Sequence, residues 1–179
     1  MMCAIEVTPT LSTERLLLRG VVNADAKRIA ELLGDPVIAS MTSWIPRPYG
    51  QADAERWLAH CRSLDWDREP SFVIEHRSFG VVGGIGFRPG PNGRPELGYW
   101  VGRPYWNRGY ATEAVRGAMK WARRDWRKSV VVSGHFADNP ASGQVLVKSG
   151  FLYTGDVERR SCRARGRDDV PTRMMVWLA

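Results

Sequence analysis

The hydrophobic pattern of this chain alternates between a helical period of about 3.6 residues and short, dense apolar runs of strand length. "ERLLLRGVV" (14–22) has the apolar density of a strand that opens the fold. "NADAKRIAELLG" (23–34) has helical spacing, with Asn23 or Asp25 placed to cap it and Gly34 and Pro36 to end it. Residues 35–50 hold three prolines and are expected to form a loop. Ala54, Trp57, Leu58 and Cys61 then recur at helical spacing within "ADAERWLAHCRSLDW" (52–66). "SFVIEHR" (71–77), "FGVVGGIGFRP" (79–89) and "GRPELGYWVG" (93–102) have the composition of paired strands, weakened or bulged at Gly83, Gly84 and Gly86.

From Gly109 to Trp126, the residues Ala111, Ala114, Val115, Ala118, Met119 and Ala122 form one stripe. Arg116, Lys120, Arg123, Arg124 and Arg127 fall off it, so this is a helix with a basic exposed side. "SVVVSGHF" (129–136) is a buried strand by its run of valines. In "NPASGQVLVKSG" (139–150), Asn139 is the cap, Pro140 takes the first helical position and Gly150 is the stop. "FLYTGDVE" (151–158) and "PTRMMVWLA" (171–179) are the last strands, separated by an Arg-rich segment, 159–167. There is no internal repeat and no linker. The whole chain, 1–179, is therefore expected to be a single mixed α/β domain of about seven strands.

The 26 Lys and Arg residues exceed the 19 Asp and Glu, giving a net charge of +7. Such a surface attracts anions: a nucleic acid, an acidic protein or a phosphorylated ligand. No window approaches 18 consecutive apolar residues, so no membrane span is expected. "MMCAIEVTPT" lacks a basic start and carries Glu6, unlike a signal peptide. Cys3, Cys61 and Cys162 lie far apart, and His60, His76 and His135 are scattered. Free thiols in a cytoplasmic protein without a metal site are expected.

One stretch changes this picture. In "ELGYWVGRPYWNRGYATEAV" (96–115) a strand ends near Val101, a loop follows, and a helix opens at Gly109. Free N–H groups at a helix start, together with the helix dipole, favour an anion. Gly109 permits close approach, Ala111 keeps the next turn slim and Arg108 adds charge. For G-x-A alone, an ordinary turn glycine and tight helix packing explain the pattern as well.

In the order "ELGYW", "YWNRGYATEAV", "FADNPASGQVLVKSGF", the chain resembles the Gcn5-related N-acetyltransferase (GNAT) superfamily. The opening "TERLLLR" and the closing "RARG…DVPTRMMVWL" resemble its RimJ/RimL-type branch. The resemblance implies an acyl-CoA N-acyltransferase fold, a central, mostly antiparallel sheet flanked by helices. It implies that acetyl-CoA is the co-substrate, with residues 106–111 as the pyrophosphate loop. Cofactor contacts would come from Trp106, Asn107, Arg108, Gly109, Tyr110, Ala111 and Thr112, and from Asn139 and Ser142. The strand around Trp100 and Val101 would pair through its backbone with the pantetheine arm. Trp106 stands where members often have Gln or Arg.

Amide formation from a thioester needs a neutral amine, a polarised carbonyl and a proton for the departing thiolate. Many members supply that proton from a Tyr, and Leu146 occupies its position here. By resemblance to the RimJ/RimL-like branch, Ser142 lies near the sulfur; its competing role is to satisfy local N–H groups at the helix start. For the base, Glu96 is placed first, sharing a strand face with Gly98 and Trp100. Asp156, Glu158 and His135 are its rivals. Trp44, in the early loop, is a candidate for the acceptor pocket. The acceptor would be a small-molecule amine or a protein N-terminus, and the protein a monomer or homodimer with no specific nucleic acid. Two other functions fit the sequence: a nucleic-acid-binding module using "RRDWRK" (123–128) and "RRSCRARGR" (159–167), and a non-catalytic CoA-binding protein.

Overall fold

The structure, a computed structural model, describes residues 9–179; Cys3 and Glu6 lie outside the described residues. The elements run β1 (Leu11–Ser12), β2 (Leu16–Arg19), α1 (Asp25–Leu33), α2 (Pro36–Ser40), α3 (Gln51–Ser63), β3 (Ser71–His76) and β4 (Gly80–Pro89). They continue with β5 (Pro95–Val101), α4 (Tyr110–Arg124), β6 (Val130–Phe136), α5 (Pro140–Lys148), β7 (Leu152–Cys162) and β8 (Arg167–Leu178). The eight strands form one sheet in the order β1-β2-β3-β4-β5-β6-β8-β7. Every neighbouring pair is antiparallel except β5 and β6.

Alternation along β3 shows how the two faces divide. Phe72 and Ile74 join the core under α4, with Ala114, Val115, Ala118, Met119 and Ala122. Val73 points the other way, to Ile29 and Leu33 of α1 and Ala54 and Leu58 of α3. Of the expected α4 stripe, Ala111 alone is only half-buried. Helices thus cover both faces, and the site lies where the central strands separate between them.

The sheet has eight strands because Leu11 and Ser12 pair with Leu18 and Leu17, a two-residue edge too short to carry a pattern. The expected loop at 35–50 contains α2: the Asp35 side chain accepts from Val37 N–H at 2.9 Å and Pro36 takes the first helical position. Neither proposed side chain caps α1. Buried Asp25 instead accepts from both terminal nitrogens of Arg19 at 2.9 Å, and Asn23 accepts from Arg62. Helix α4 stops at Arg124, two residues before Trp126, whose ring stacks on Trp121 at 5.5 Å. Most of the Arg-rich segment is strand: β7 and β8 form one long hairpin turning at residues 163–165. Strand β4 continues through its glycines with one bulge beside Gly83, where Ile74 and Glu75 face Gly83 and Val81 and leave Val82 over. A Cβ on Gly84 would sit 2.7 Å from the Trp100 indole nitrogen, so that glycine makes room for the ring.

Between β5 and β6 there is a single rung, Glu96 opposite Val132. Ser133 Oγ donates to the Leu97 carbonyl at 3.0 Å just beyond it, and then the strands part.

Candidate active site

Strand β5 delivers the chain to a loop that ends in the first turn of α4. Within it Asn107 has φ 60° and Gly109 φ 79°, the left-handed region that glycine enters freely and asparagine tolerates. The Trp106 indole donates to the Val101 carbonyl at 2.6 Å and closes the loop on itself. Among the described residues, the N–H groups of Tyr110, Ala111 and Thr112 have no hydrogen-bond acceptor, as at any helix start. Three converging donors at the positive end of a fifteen-residue helix suit a phosphate group.

That loop is held from the far end of the chain. Arg15 donates through Nη1 to the Arg108 carbonyl at 3.0 Å and through Nε to Glu113 at 2.7 Å, with its guanidinium 4.7 Å from the centre of the Tyr110 ring. Glu113 also accepts from Thr13 Oγ1 at 2.6 Å and Arg15 N–H at 2.7 Å. Burial pushes the Glu113 carboxyl upward, but the bonds from Thr13 and Arg15 outweigh it and hold the group below its ordinary value. The negative charge beside this helix start is therefore already neutralised by Arg15. The Tyr110 side chain is buried, so this residue can offer a ligand only its main chain. Arg108 is exposed, 5.9 Å from the Phe79 ring centre.

The register of β5 decides which of its main-chain groups face the gap. Gly102 N–H donates to Val82 on the β4 side, whereas the Leu97 carbonyl is met from β6. Odd-numbered residues therefore turn toward β6 and even-numbered ones toward β4. Trp100, expected to pair with a pantetheine arm, spends its main chain on Gly84 of β4. The Val101 carbonyl is taken by Trp106. Left facing the gap are the N–H and C=O of Tyr99 and the N–H of Val101.

Tyr99 also reaches across the gap with its side chain. Its hydroxyl lies 2.8 Å from Ser142 Oγ and 3.0 Å from the Ser142 carbonyl. Burial pushes the phenol above its usual range, so it stays protonated. Ser142 is in the first turn of α5, and its N–H donates to the capping Asn139 side chain at 3.2 Å. Local N–H satisfaction at this helix start thus falls to Asn139 and leaves the Ser142 hydroxyl to Tyr99. Leu146, one turn on, is fully buried in the core.

On the α3 side the gap opens into a cleft of about 610 Å³. Its floor is β4, β5 and β6; its walls are the 41–49 loop with α3, and the end of β7. Trp44 lines it, 63% exposed, with the Arg88 guanidinium 5.3 Å from its ring centre. Glu96 lies on the floor, 7% exposed, accepting from Arg88 at 2.7 Å and from Arg160. Burial raises its pKa, yet the arginines prevail and hold the carboxyl below its ordinary value. His135 is buried beside the cleft; its Nδ1 lies 2.8 Å from the Phe136 carbonyl and must carry the proton, so Nε2 accepts from the Tyr153 hydroxyl at 3.0 Å. On β7, Asp156 is exposed and Glu158 half-buried, pairing with Arg160 at 2.8 Å. Among the described residues no group of His, Cys, Asp and Glu is arranged to hold a metal, and no helix is long and apolar enough to cross a membrane.

The structure joins Val101 to the loop through Trp106 and Ser142 to Tyr99, and places Glu96 against two arginines instead of leaving it free. Sequence reasoning missed Tyr99, Arg15 and Arg160. Alternation alone assigns Tyr99 to the inner face of β5, where an aromatic passes for core.

Residues 15–152 match the acetyltransferase (GNAT) domain family. The uncharacterized N-acetyltransferase p20 of Bacillus licheniformis is 33% identical over 161 residues, covering 88% of this chain and 90% of that protein. Among solved structures, Mycobacterium smegmatis RimJ in complex with CoA-disulfide superposes with a TM-score of 0.84 at 18% identity, covering 96% of this chain and 88% of that one. Spermidine N-acetyltransferase from Vibrio cholerae, in complex with CoA and spermine, gives a TM-score of 0.74 at 17% identity, over 93% of this chain and 96% of that one.

Proposed function

The chain belongs to the GNAT acetyltransferase family, and from that membership we propose that it moves the acetyl group of acetyl-CoA to a primary amine seated in the cleft. One observation carries the reading: unpaired main chain at the end of β5 leads directly into unpaired N–H groups at the start of α4, with the Tyr99–Ser142 pair facing the same gap.

Acetyl-CoA supplies an acetyl thioester. The N–H groups of Tyr110, Ala111 and Thr112 receive its pyrophosphate, with Asn107 and Gly109 shaping the loop. The main chain of Tyr99 and the N–H of Val101, left without β6 partners, bond the pantetheine arm. Tyr99 commits its proton to the Ser142 carbonyl, which leaves the Ser142 hydroxyl proton mobile. Ser142 passes that proton to the departing sulfur as the amine nitrogen bonds to the acetyl carbon. The proton lost from the nitrogen leaves to solvent through the cleft, and a proton from solvent restores the Ser142 hydroxyl.

Glu96 has a different place in this scheme from the base the sequence suggested. A carboxylate paired with two arginines and held below its ordinary pKa is a weak base at neutral pH. We assign it to fixing Arg88 and Arg160, and the amine reacts in its neutral form. The basic segments do not require a nucleic acid. Trp126 is stacked in the fold, and Arg160 and Arg165 are bound to Glu96 and Asp138.

Gly109→Glu tests the assignment by placing a side chain and a negative charge at the loop. Calorimetry on the folded variant should show acetyl-CoA binding weakened at least about tenfold. Unchanged affinity would overturn it.

A further inference from the structure

The cleft beside Tyr99 and Ser142 is lined by Arg56, Arg88, Arg160 and Arg163, against two carboxylates, Asp53 and Glu96. Both carboxylates are already engaged. Asp53 accepts from Arg56 at 2.6 Å and from Gly50 N–H at 2.9 Å. Glu96 accepts from Arg88 and Arg160, and Arg160 is also held by Glu158 at 2.8 Å, which leaves Arg163 as the unpaired guanidinium of the four among the described residues. Arg163 is exposed in the turn after β7, its N–H fixed to the Ser43 carbonyl at 3.1 Å, and it pairs with no carboxylate among the described residues. Trp44, Tyr49, Trp57 and Trp100 give the same space flat apolar walls.

A polycationic acceptor would meet surplus guanidinium groups here and no carboxylate free to hold it. An acceptor with an anionic group meets the opposite field, and the planar fork of arginine matches carboxylate and phosphate oxygens. We propose that the amine acceptor carries a carboxylate or phosphate group that Arg163 receives, with Arg88 and Arg160 behind it, while the amine reaches Tyr99 and Ser142. This rests on the acetyl-transfer reading and narrows its substrate class to anion-bearing amines.

The test compares matched acceptors at saturating acetyl-CoA, with thiol release as readout. The carboxylate arm sets Ser-Asp amide against Ser-Asn amide; the phosphate arm sets O-phosphoethanolamine against ethanolamine; spermidine is the cationic control. In at least one arm the anionic member should exceed its neutral partner about tenfold in kcat/KM, as a charge-assisted contact supplies. Arg163→Glu should erase that preference, and Arg163→Gln reduce it, while transfer to the neutral partner persists. Equal rates within both arms, faster transfer to spermidine, or a preference that survives Arg163→Glu would overturn the proposal and leave acetyl transfer standing. If acetyl-CoA binds but no amine is acetylated, the transferase reading itself fails. Titration of N-acetyl-Ser-Asp amide and N-acetyl-Ser-Asn amide into CoA-loaded protein then still decides the subsite: tighter binding of the acidic member supports it, and equal affinity refutes it.

Discussion

Replacing Glu113 with Gln tests whether the loop before α4 is pinned by Thr13 and Arg15. The carboxylate accepts three hydrogen bonds, from Thr13 Oγ1, Arg15 N–H and Arg15 Nε. The amide keeps an oxygen for the first two but turns a donor toward the third. Hydrogen bonds to a charged group contribute about 1.5–3 kcal/mol each, and solvent reduces this one because Arg15 is 41% exposed. The expected loss is about 1–2 kcal/mol, seen as a lower midpoint in urea or a Tm drop of about 2–4 °C per kcal/mol in a domain of this size. The sign with pH follows from a folded-state pKa below the ordinary value. The stabilisation is present above the usual carboxylate range of about 4 and is lost as the pH falls through the folded pKa. Wild type and variant should therefore converge in acid. Arg15, released from Glu113, also holds the Arg108 carbonyl less firmly, so calorimetry should show weaker acetyl-CoA binding. A variant as stable as wild type at neutral pH, or a difference that widens in acid, would refute the reasoning.

Ser142→Ala should leave acetyl-CoA affinity nearly intact and slow single turnover by about 10²-fold, the low end for a general acid that water can partly replace. Tyr99→Phe should slow the same step less; a near-normal rate in the Ser142 variant with a lowered midpoint would remove that residue from the chemistry. If the amine enters neutral, the pH–rate profile should move with the pKa of the acceptor when amines of different basicity are compared. A fixed acidic limb common to all acceptors, lost in Glu96→Gln, would restore Glu96 as the base.

Features set by neighbouring residues were legible in the sequence. Gly109 and Ala111 mark the start of α4, and Asn139, Pro140 and Gly150 bracket α5, because a cap, a first-turn proline and a stop act within one turn of chain. The same signal stood at Asp35-Pro36, where the prolines that follow suggested only a loop. What stayed hidden depends on distant pairs. Tyr99 matters because α5 brings Ser142 to it from 43 positions away, Arg15 because Arg108 lies 93 positions on, and Glu96 because Arg160 arrives 64 positions later. No local period encodes such meetings. The Trp100 main chain, expected to be open to a ligand, is spent on Gly84 while that of Tyr99 faces the gap, because side-chain alternation does not say which neighbouring strand claims the main chain of each residue.

The lone rung at Glu96 and Val132 makes the sheet two leaves stitched at one point, one holding β1 to β5 and the other β6, β8 and β7. Beyond it and the Ser133–Leu97 bond, the N–H and C=O of Tyr99 and the N–H of Val101 face the seam with no strand partner among the described residues. If acetyl-CoA lies in the seam as proposed, it supplies those partners and becomes part of the fabric as well as a reactant. By mass action, a ligand at a hundred times its Kd adds about 2.7 kcal/mol to the cohesion of the folded chain. The firmness of this protein is then set partly by how much thread its surroundings contain, and it loosens when the supply runs low.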